Sequence, residues 1–440
     1  MTMRSGSENA RLRLIEDNEI PPLPAGWDVQ RFRFLFRESK ERNGEAPVGN
    51  MLSVSEYRGV VPKEYEHEEQ QRADEELQTY RVVRPGQMAV NTMWLNHLGL
   101  GVSDYLGHVS PAYAVYHICP ELNKRFVHHL FRSQYYLKIY LRYLYGIRPN
   151  SFQIKSDDWN SIPVIVPPSD TQKAIADFLD RETARVDQLI EKKQRLVGLL
   201  GEKFKAEKKR LVFDLDNQSV ERSASTVSWF PSLPCHWRFM RNAHIFKNLD
   251  SRRIPLSAEQ RGDLAKVYPY YGASGIIDAV DDYLFDEDTI LVGEDGANLV
   301  MQSTPIAFKA SGKYWVNNHA HILTPRFGDF DYWIHALNEV PYEVFVTGSA
   351  QPKLTSAALG NIRLPVPPTE EQKEIAKKIE ARGMRVNVAI KPLRNSIDRL
   401  KEFRSALITA AVTGQIDVAT WGKQGQSDRR LDQIEKAMQA

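Results

Sequence analysis

Residues 162–176 read IPVIVPPSDTQKAIA, and residues 362–376 read IRLPVPPTEEQKEIA. The second copy follows the first by 200 residues, and each has a matching front end: Pro21, Leu23, Pro24 and Trp27 recur at a different offset as Pro231, Leu233, Pro234 and Trp237. The chain is therefore a tandem duplication. Between these anchors the halves hardly resemble each other, so the duplicated frame carries two different inserts, which suggests one scaffold holding two distinct readers.

Each Pro-Pro pair prohibits an earlier helix, and Ser169 or Thr369 is placed to cap the turn that follows, with acids at Asp170 and at Glu370 and Glu371. Both copies then continue as long helices. Ile175, Leu179, Val186, Leu189, Leu196, Leu200, Phe204 and Leu211 recur at three, four or seven residues; so do Ile375, Ile379, Val386, Ile390, Leu393, Ile397, Leu400, Leu407 and Ala411. A narrow apolar stripe must be buried, and in a duplicated chain the nearest partner is the other copy. The expectation is an antiparallel helix pair related by a pseudo-two-fold axis. Gly198, Gly201, Gly383 and above all Pro392 break the pattern, and Pro392 is expected to kink or interrupt the second helix.

The chain has 440 residues, 58 basic against 56 acidic, and an ordinary hydrophobic share of 42%, which allows about three domains. Near-zero net charge argues against indiscriminate polyanion binding by the whole surface. Local charge is more telling. From Leu122 to Ser156 there are seven basic residues and no acid, interleaved with Tyr135, Tyr136, Tyr140, Tyr143 and Tyr145. Residues 181–212 add ten Lys or Arg against five Asp or Glu. Cys119 and Cys235 stand alone, without the spacing of a zinc site or a disulfide framework. No stretch approaches the roughly 18 apolar residues that cross a bilayer, so a reducing, cytoplasmic setting is expected.

The inserts read as mixed α+β domains. Expected strands cover Arg81–Val83, Met88–Asn91, Tyr113–Ile118, Thr289–Val292, Val300–Phe308 and Ala320–Leu323, and expected helices lie near Lys124–Tyr145 and Asp331–Asn338. The resulting organisation is a first reading domain over 1–165, a central helix over 166–213, a polar linker over 214–228, a second reading domain over 229–365, a distal helix over 366–413 and a C-terminal tail over 414–440. Its polar end, Trp421–Ala440, is expected to be mobile or a short amphipathic helix.

Three anchors, Leu-Pro-x-x-Trp, Pro-Pro-x-x-x-Gln-x-x-Ile-Ala and Ser405-Ala-Leu-Ile-Thr-Ala-Ala-Val-Thr-Gly-Gln-Ile-Asp417, resemble the specificity subunit of Type I restriction-modification enzymes, over about residues 20 to 418. The resemblance implies two target-recognition domains joined by two long antiparallel helices in a coiled coil. Each domain would bind one half of an asymmetric, interrupted double-stranded DNA sequence. It implies two modification (methyltransferase) subunits docking on the repeated regions, here placed at Gln172, Lys173, Gln372, Lys373, Leu407 and Ile408, and restriction (motor and nuclease) subunits joining that core. It also implies that the chain itself is non-catalytic and needs no cofactor, S-adenosylmethionine, ATP and Mg belonging to the partners. A helix of roughly 40 residues is about 60 Å long, more than the ~34 Å between half-sites one DNA turn apart, so the helices can act as a ruler.

Candidate DNA contacts follow from side-chain chemistry. Arg132, Lys138, Arg142, Arg148 and Asn150 lie in or just after the basic stretch, which could equally be a surface helix with an aromatic core face. Arg148 and Asn150 occupy a loop that corresponds to the one carrying Gln351 and Lys353; Arg suits guanine, and Asn or Gln suits adenine. Around Gly and Pro, simple turn formation is the alternative. In the second insert, Tyr271 and Ser274 lie in a Gly-containing loop that could approach a phosphate, Glu294 could accept from a cytosine amino group, and Asn298 and Asn317 could read a base; each also fits an ordinary turn. His319 and His321 lack nearby Cys or Asp partners in sequence, so no metal is expected there.

Two other classes of function remain. A self-contained methyltransferase would need an Asn/Asp-Pro-Pro-aromatic tetrapeptide, and a motor would need G-x-x-x-x-G-K-[ST]; both are absent. A non-DNA coiled-coil scaffold with two protein-binding domains stays open on pattern alone.

Overall fold

The computed structural model describes residues 20–55, 58–65, 77–146, 153–215, 219–225, 227, 229, 232–262, 264–348 and 351–421. The chain folds as two compact units. Unit 1 gathers Met1–Arg195 with Arg394–Ala440, and unit 2 is Leu196–Leu393. The division falls inside the long helices, because each unit takes one part of both helices into its own core.

In unit 1 the anchors meet. Strand β1 (Asp28–Arg31) follows the Leu-Pro-x-x-Trp turn and pairs antiparallel with β10 (Pro163–Val166), the strand that ends at Pro-Pro. The Phe32 amide donates to the Ile162 carbonyl at the end of this ladder. Sequence segments more than 130 residues apart thus clamp the two ends of the insert together. Between them run α1 (Phe32–Leu35), β2 (Phe36–Glu38), β3 (Asn50–Ser55), β4 (Gly59–Pro62), β5 (Arg81–Val83), β6 (Met88–Asn91), β7 (Leu100–Val102), β8 (Gly107–Val109), β9 (Tyr113–Ile118), α2 (Lys124–Phe131), α3 (Gln134–Tyr143) and α4 (Ser156–Ser161). They form two four-stranded sheets, in orders β2-β9-β6-β7 and β4-β3-β8-β5, with β3 and β8 parallel. Helices α2 and α3 fill the helical region expected near Lys124–Tyr145. The break comes at Ser133, whose hydroxyl accepts from the Tyr136 amide and so caps a new helix.

Unit 2 repeats this order with unrelated residues. Its elements are β11 (Arg222–Ala224), β12 (Ser232–Pro234), β13 (Arg238–Arg241), α6 (Asn242–Ile245), β14 (Phe246–Asn248), α7 (Ala258–Gly262), β15 (Tyr268–Gly272), β16 (Gly275–Val280), β17 (Phe285–Asp286), β18 (Thr289–Gly293), α8 (Asn298–Met301), β19 (Ala307–Ala310), β20 (Lys313–Val316), β21 (Ala320–Pro325), α9 (Phe330–Asn338), α10 (Ser356–Asn361) and β22 (Arg363–Val366). The sheet orders are β14-β21-β18-β19 and β16-β15-β20-β17, with β13 on β22 and β15 parallel to β20. The inserts that differ in sequence therefore share one topology. One expectation is corrected here. Of the strand expected over Val300–Phe308 only Ala307 and Phe308 are strand: Asn298 Oδ1 accepts from Ser303 and Thr304, which folds a turn between α8 and β19. Within the expected linker, β11 pairs with β12, and Arg222 donates to the Phe213, Asp214 and Ser232 carbonyls, so residues 222–224 are fastened to unit 2.

The long helices are α5 (Ser169–Val212) and α11 (Thr369–Val412). Ser169 and Thr369 are their first helical residues rather than caps; the Pro168 and Pro368 carbonyls accept from the Gln172 and Gln372 amides. In unit 1, Val186, Leu189 and Ile190 bury against Ile397 and Leu400, and Arg404 holds Asp187 in a bidentate pair. In unit 2, Arg382 meets Glu207, and the Phe204 ring lies against Gly383. As residue numbers rise in α5 they fall in α11, so the pair is antiparallel. The seam is interrupted at its middle: Lys193 is buried, whereas Leu196, expected in the stripe, is 40% exposed. Helix α11 runs unbroken through Pro392. Pro392 and Val388 are both exposed, so water can take the Val388 carbonyl that proline leaves without an amide partner.

Candidate nucleic-acid interface

In unit 2 four segments singled out from sequence come together. The β15–β16 turn packs on the end of β18, where a Cβ on Gly293 would lie 3.0 Å from the Ala273 carbonyl oxygen. The Glu294 amide donates to His319 O at 2.9 Å, Gly296 to Pro352 O at 3.0 Å, and Leu354 to Glu294 O at 2.7 Å. The Asn317 amide donates to Tyr271 O, and Lys353 bridges to Asp295 and Thr347. Turn 273–274, loop 293–298, loop 317–319 and residues 347–348 and 351–353 form one cluster at the end of the two sheets.

Within it the predicted residues divide by exposure. Ser274, Gln351 and Lys353 are exposed, and His319 keeps 46% of its side-chain surface while bonding Asp295 at 2.7 Å. Glu294 is buried. Its carboxylate takes Arg253 at 2.6 Å and Lys353 at 3.3 Å, with His321 at 3.8 Å. Burial alone would raise this carboxyl, but Arg253, His321 and Lys353 outweigh it and hold it below the usual carboxylate range. Three more residues have inward work. Tyr271 stacks on Phe308 and meets Tyr314 edge-on, Asn317 Oδ1 accepts from the His319 amide, and Asn298 caps the turn described above. His321 is buried between Asp250 (2.6 Å) and the Leu354 carbonyl (2.8 Å), where it fastens loop 347–353 to the sheet.

The same end of unit 1 has different chemistry. Where unit 2 has Gly293, Glu294 and Asp295, the end of β6 gives Asn91, Thr92 and Met93, and Thr92 Oγ1 donates to the Ala112 carbonyl. Loop 145–153 is closed by a Tyr145–Gln153 bridge, the counterpart of Thr347–Lys353. Arg148 and Asn150 lie outside the described residues. Lys138 and Arg142 are exposed on α3. Arg132 is buried instead: its guanidinium donates to the Ser55, Leu98 and Leu100 carbonyls, so its positive charge holds the insert together from inside. The tyrosines of the basic stretch split likewise; Tyr136 and Tyr140 are fully buried, and Tyr136 donates to Pro163 O in the anchor sheet.

The residues assigned to subunit docking also sort by burial. Lys173 and Lys373 are exposed, the latter paired with Glu370 at 2.8 Å. Gln172 and Gln372 are not: each is at most 2% exposed. Gln172 Nε2 donates to Pro167 O and Glu121 O while Oε1 accepts from the Asn123 amide; Gln372 Nε2 donates to Pro367 O while Oε1 accepts from Asp329. Asn123 and Asp329 are the N-caps of α2 and α9. The repeated glutamine therefore locks the Pro-Pro turn to the helix beside it. Leu407 and Ile408 sit in the core of unit 1, with Ala411 and Val412.

Residues 234–386 match the family described as Type I restriction modification DNA specificity domain. A putative Type I restriction enzyme specificity subunit of Haemophilus influenzae is 35% identical over 114 residues, 26% of this chain and 29% of that protein. The Type I restriction enzyme EcoDI specificity subunit of Escherichia coli is 22% identical over 186 residues, 42% of this chain and 39% of that protein. The matches thus span well under half the length of either relative. A solved chain from work on complex assembly and conformational transition of the type I R-M system covers 90% of this chain and 100% of its own length, with 16% identity and a TM-score of 0.59. That likeness shows a shared fold.

Proposed function

We propose that this chain, whose residues 234–386 match the family described as Type I restriction modification DNA specificity domain, is the sequence-reading subunit of such a system, each unit reading one half of an interrupted, asymmetric duplex site. The single observation that carries this reading is one topology bearing two unlike loop clusters. Identical readers on a two-fold frame would impose a palindrome; unlike readers on the same frame call for unlike half-sites. The continuous α5 and α11 supply a fixed-length element between them.

Two modification subunits dock on the repeated frame in this account, at exposed positions such as Lys173 and Lys373, and restriction subunits join that assembly. The chain takes no cofactor of its own; S-adenosylmethionine, ATP and Mg serve the partners. Among the described residues no group of three or more His, Cys, Asp or Glu is placed to hold a metal ion, and no helix is long and apolar enough to cross a membrane.

Methyl transfer to duplex DNA should be measured with this chain alone, with modification subunits alone and with both. Transfer confined to the combined sample, at a defined sequence, supports the reading. Transfer by the isolated chain, or sequence-indifferent transfer by the combination, defeats it.

A further inference from the structure

Arg31 and Arg37 bracket α1, and Arg241 and Lys247 bracket α6. The two stretches differ in sequence, RFRFLFR against RNAHIFK, yet they share one pattern: positions 32, 35 and 36, like 242, 245 and 246, are buried, and all four cations are exposed. None of the four has an ion pair among the described residues. Elsewhere arginines find carboxylates, as Arg81 finds Glu38, Arg84 finds Glu41 and Arg253 finds Glu294. In unit 2 the excess is sharper. Arg241 lies directly opposite Arg363 across the β13–β22 pair, both exposed, an arrangement that destabilises an antiparallel pair unless an anion shares the site. Neither Ser232–Leu249 nor Thr347–Val366 contains an acid.

Position narrows the anion. Lys247 pairs with Thr324 on β21, whose first residue, Ala320, adjoins the loop cluster. Four strand residues span about 13 Å, close to the ≈12 Å width of a major groove. A cation at that distance from base-reading loops falls on the phosphates that border the groove. Such contacts fix register and orientation without carrying sequence information, which fits their presence in both units while the loops differ.

We infer that Arg31 with Arg37, and Arg241 with Lys247, are matched phosphate contacts that seat each unit on the DNA backbone beside its reading loops. This rests on the DNA-reading proposal above. The test uses the full chain assembled with its modification subunits and a mixed-sequence duplex, with affinity followed against salt. Removing one phosphate-neutralising cation should lower the log-log salt slope by about 0.9, so R31Q/R37Q and R241Q/K247Q should each lower it by about 1.8. R31K and R241K, which keep the charge and share the same exposed fold position, should keep the wild-type slope, and the methylated sequence should not change. Glutamine variants that melt like the wild type and retain its full slope would overturn the inference while leaving the DNA-reading proposal standing. Failure of the wild-type assembly to bind the duplex would remove both.

Discussion

Gln172 and Gln372 explain at the residue scale why part of the repeat recurs. Each satisfies a buried main-chain amide and a proline carbonyl at once, so Q172A and Q372A should each cost about 1–3 kcal/mol. Urea melts that leave either variant as stable as the parent would contradict this. Arg132 carries the opposite lesson. In sequence it is one more cation in an acid-free run; in the fold it bonds carbonyls 77, 34 and 32 residues away, a relation no local pattern encodes. R132M should lose about 3 kcal/mol of stability with the salt slope of DNA binding unchanged, and a slope change without destabilisation would restore it as a phosphate ligand. His335 supplies a pH signature. Burial first, then the Lys208 charge, pushes its imidazole down to about 4. Between about pH 6.5 and that value the unfolded chain binds a proton that the folded chain refuses, so this stability is present above about pH 6.5 and is lost as pH falls toward 4. H335Q should flatten the melting temperature across that window; an unchanged profile would show that His335 is not the group responsible. The loss at lower pH should remain, because Asp250, raised by burial but lowered more by His321, is held below the usual carboxylate range and protonates only there.

At the scale of elements, strands and long helices were the legible part. Arg81–Val83, Met88–Asn91 and Tyr113–Ile118 fall where β-rich runs place them, and the heptad spacing after each Pro-Pro marks α5 and α11. What local pattern leaves open is decided by single side chains: the hydroxyl of Ser133 separates α2 from α3, and the Asn298 side chain holds a turn at Ser303 and Thr304 where the pattern predicts strand. Pro392 does not interrupt α11, because water can take the carbonyl that the proline leaves without an amide partner. On an exposed face the helix continues, and P392A should raise the melting temperature by removing a penalty of at most about 3 kcal/mol. An unchanged or lower melting temperature would show that the proline is built into the helix pair. Gly414 ends α11 at φ +71°, and a Cβ there would lie 2.5 Å from Pro24 Cδ and 3.1 Å from the Trp27 ring. G414A should therefore destabilise unit 1 by more than the roughly 1 kcal/mol of the backbone term alone, as read by the release of its tryptophan fluorescence at lower denaturant; a melt like the parent's would mean that the chain end can move aside.

For the whole molecule, duplication was readable from fifteen-residue anchors, whereas the shared topology of the inserts was not, because the burial pattern survives where residue identity does not. The candidate interface was half legible: the loops were found one by one, their convergence in unit 2 depends on long-range pairing, and the cations beside α1 and α6 carried no local signal. The proposed division of labour, a repeated frame with two unlike readers, makes one demand on the DNA. The most direct measurement is single-molecule sequencing of the bases methylated by the assembled complex, once with the wild-type chain and once with matched seven-residue deletions in α5 and α11 that preserve the helix register. The account predicts two unlike half-sites separated by a fixed gap, with the gap alone shortened by about three base pairs in the deletion, since seven residues span about 10 Å. A palindromic or uninterrupted site, or a gap that ignores the shortened helices, would contradict it.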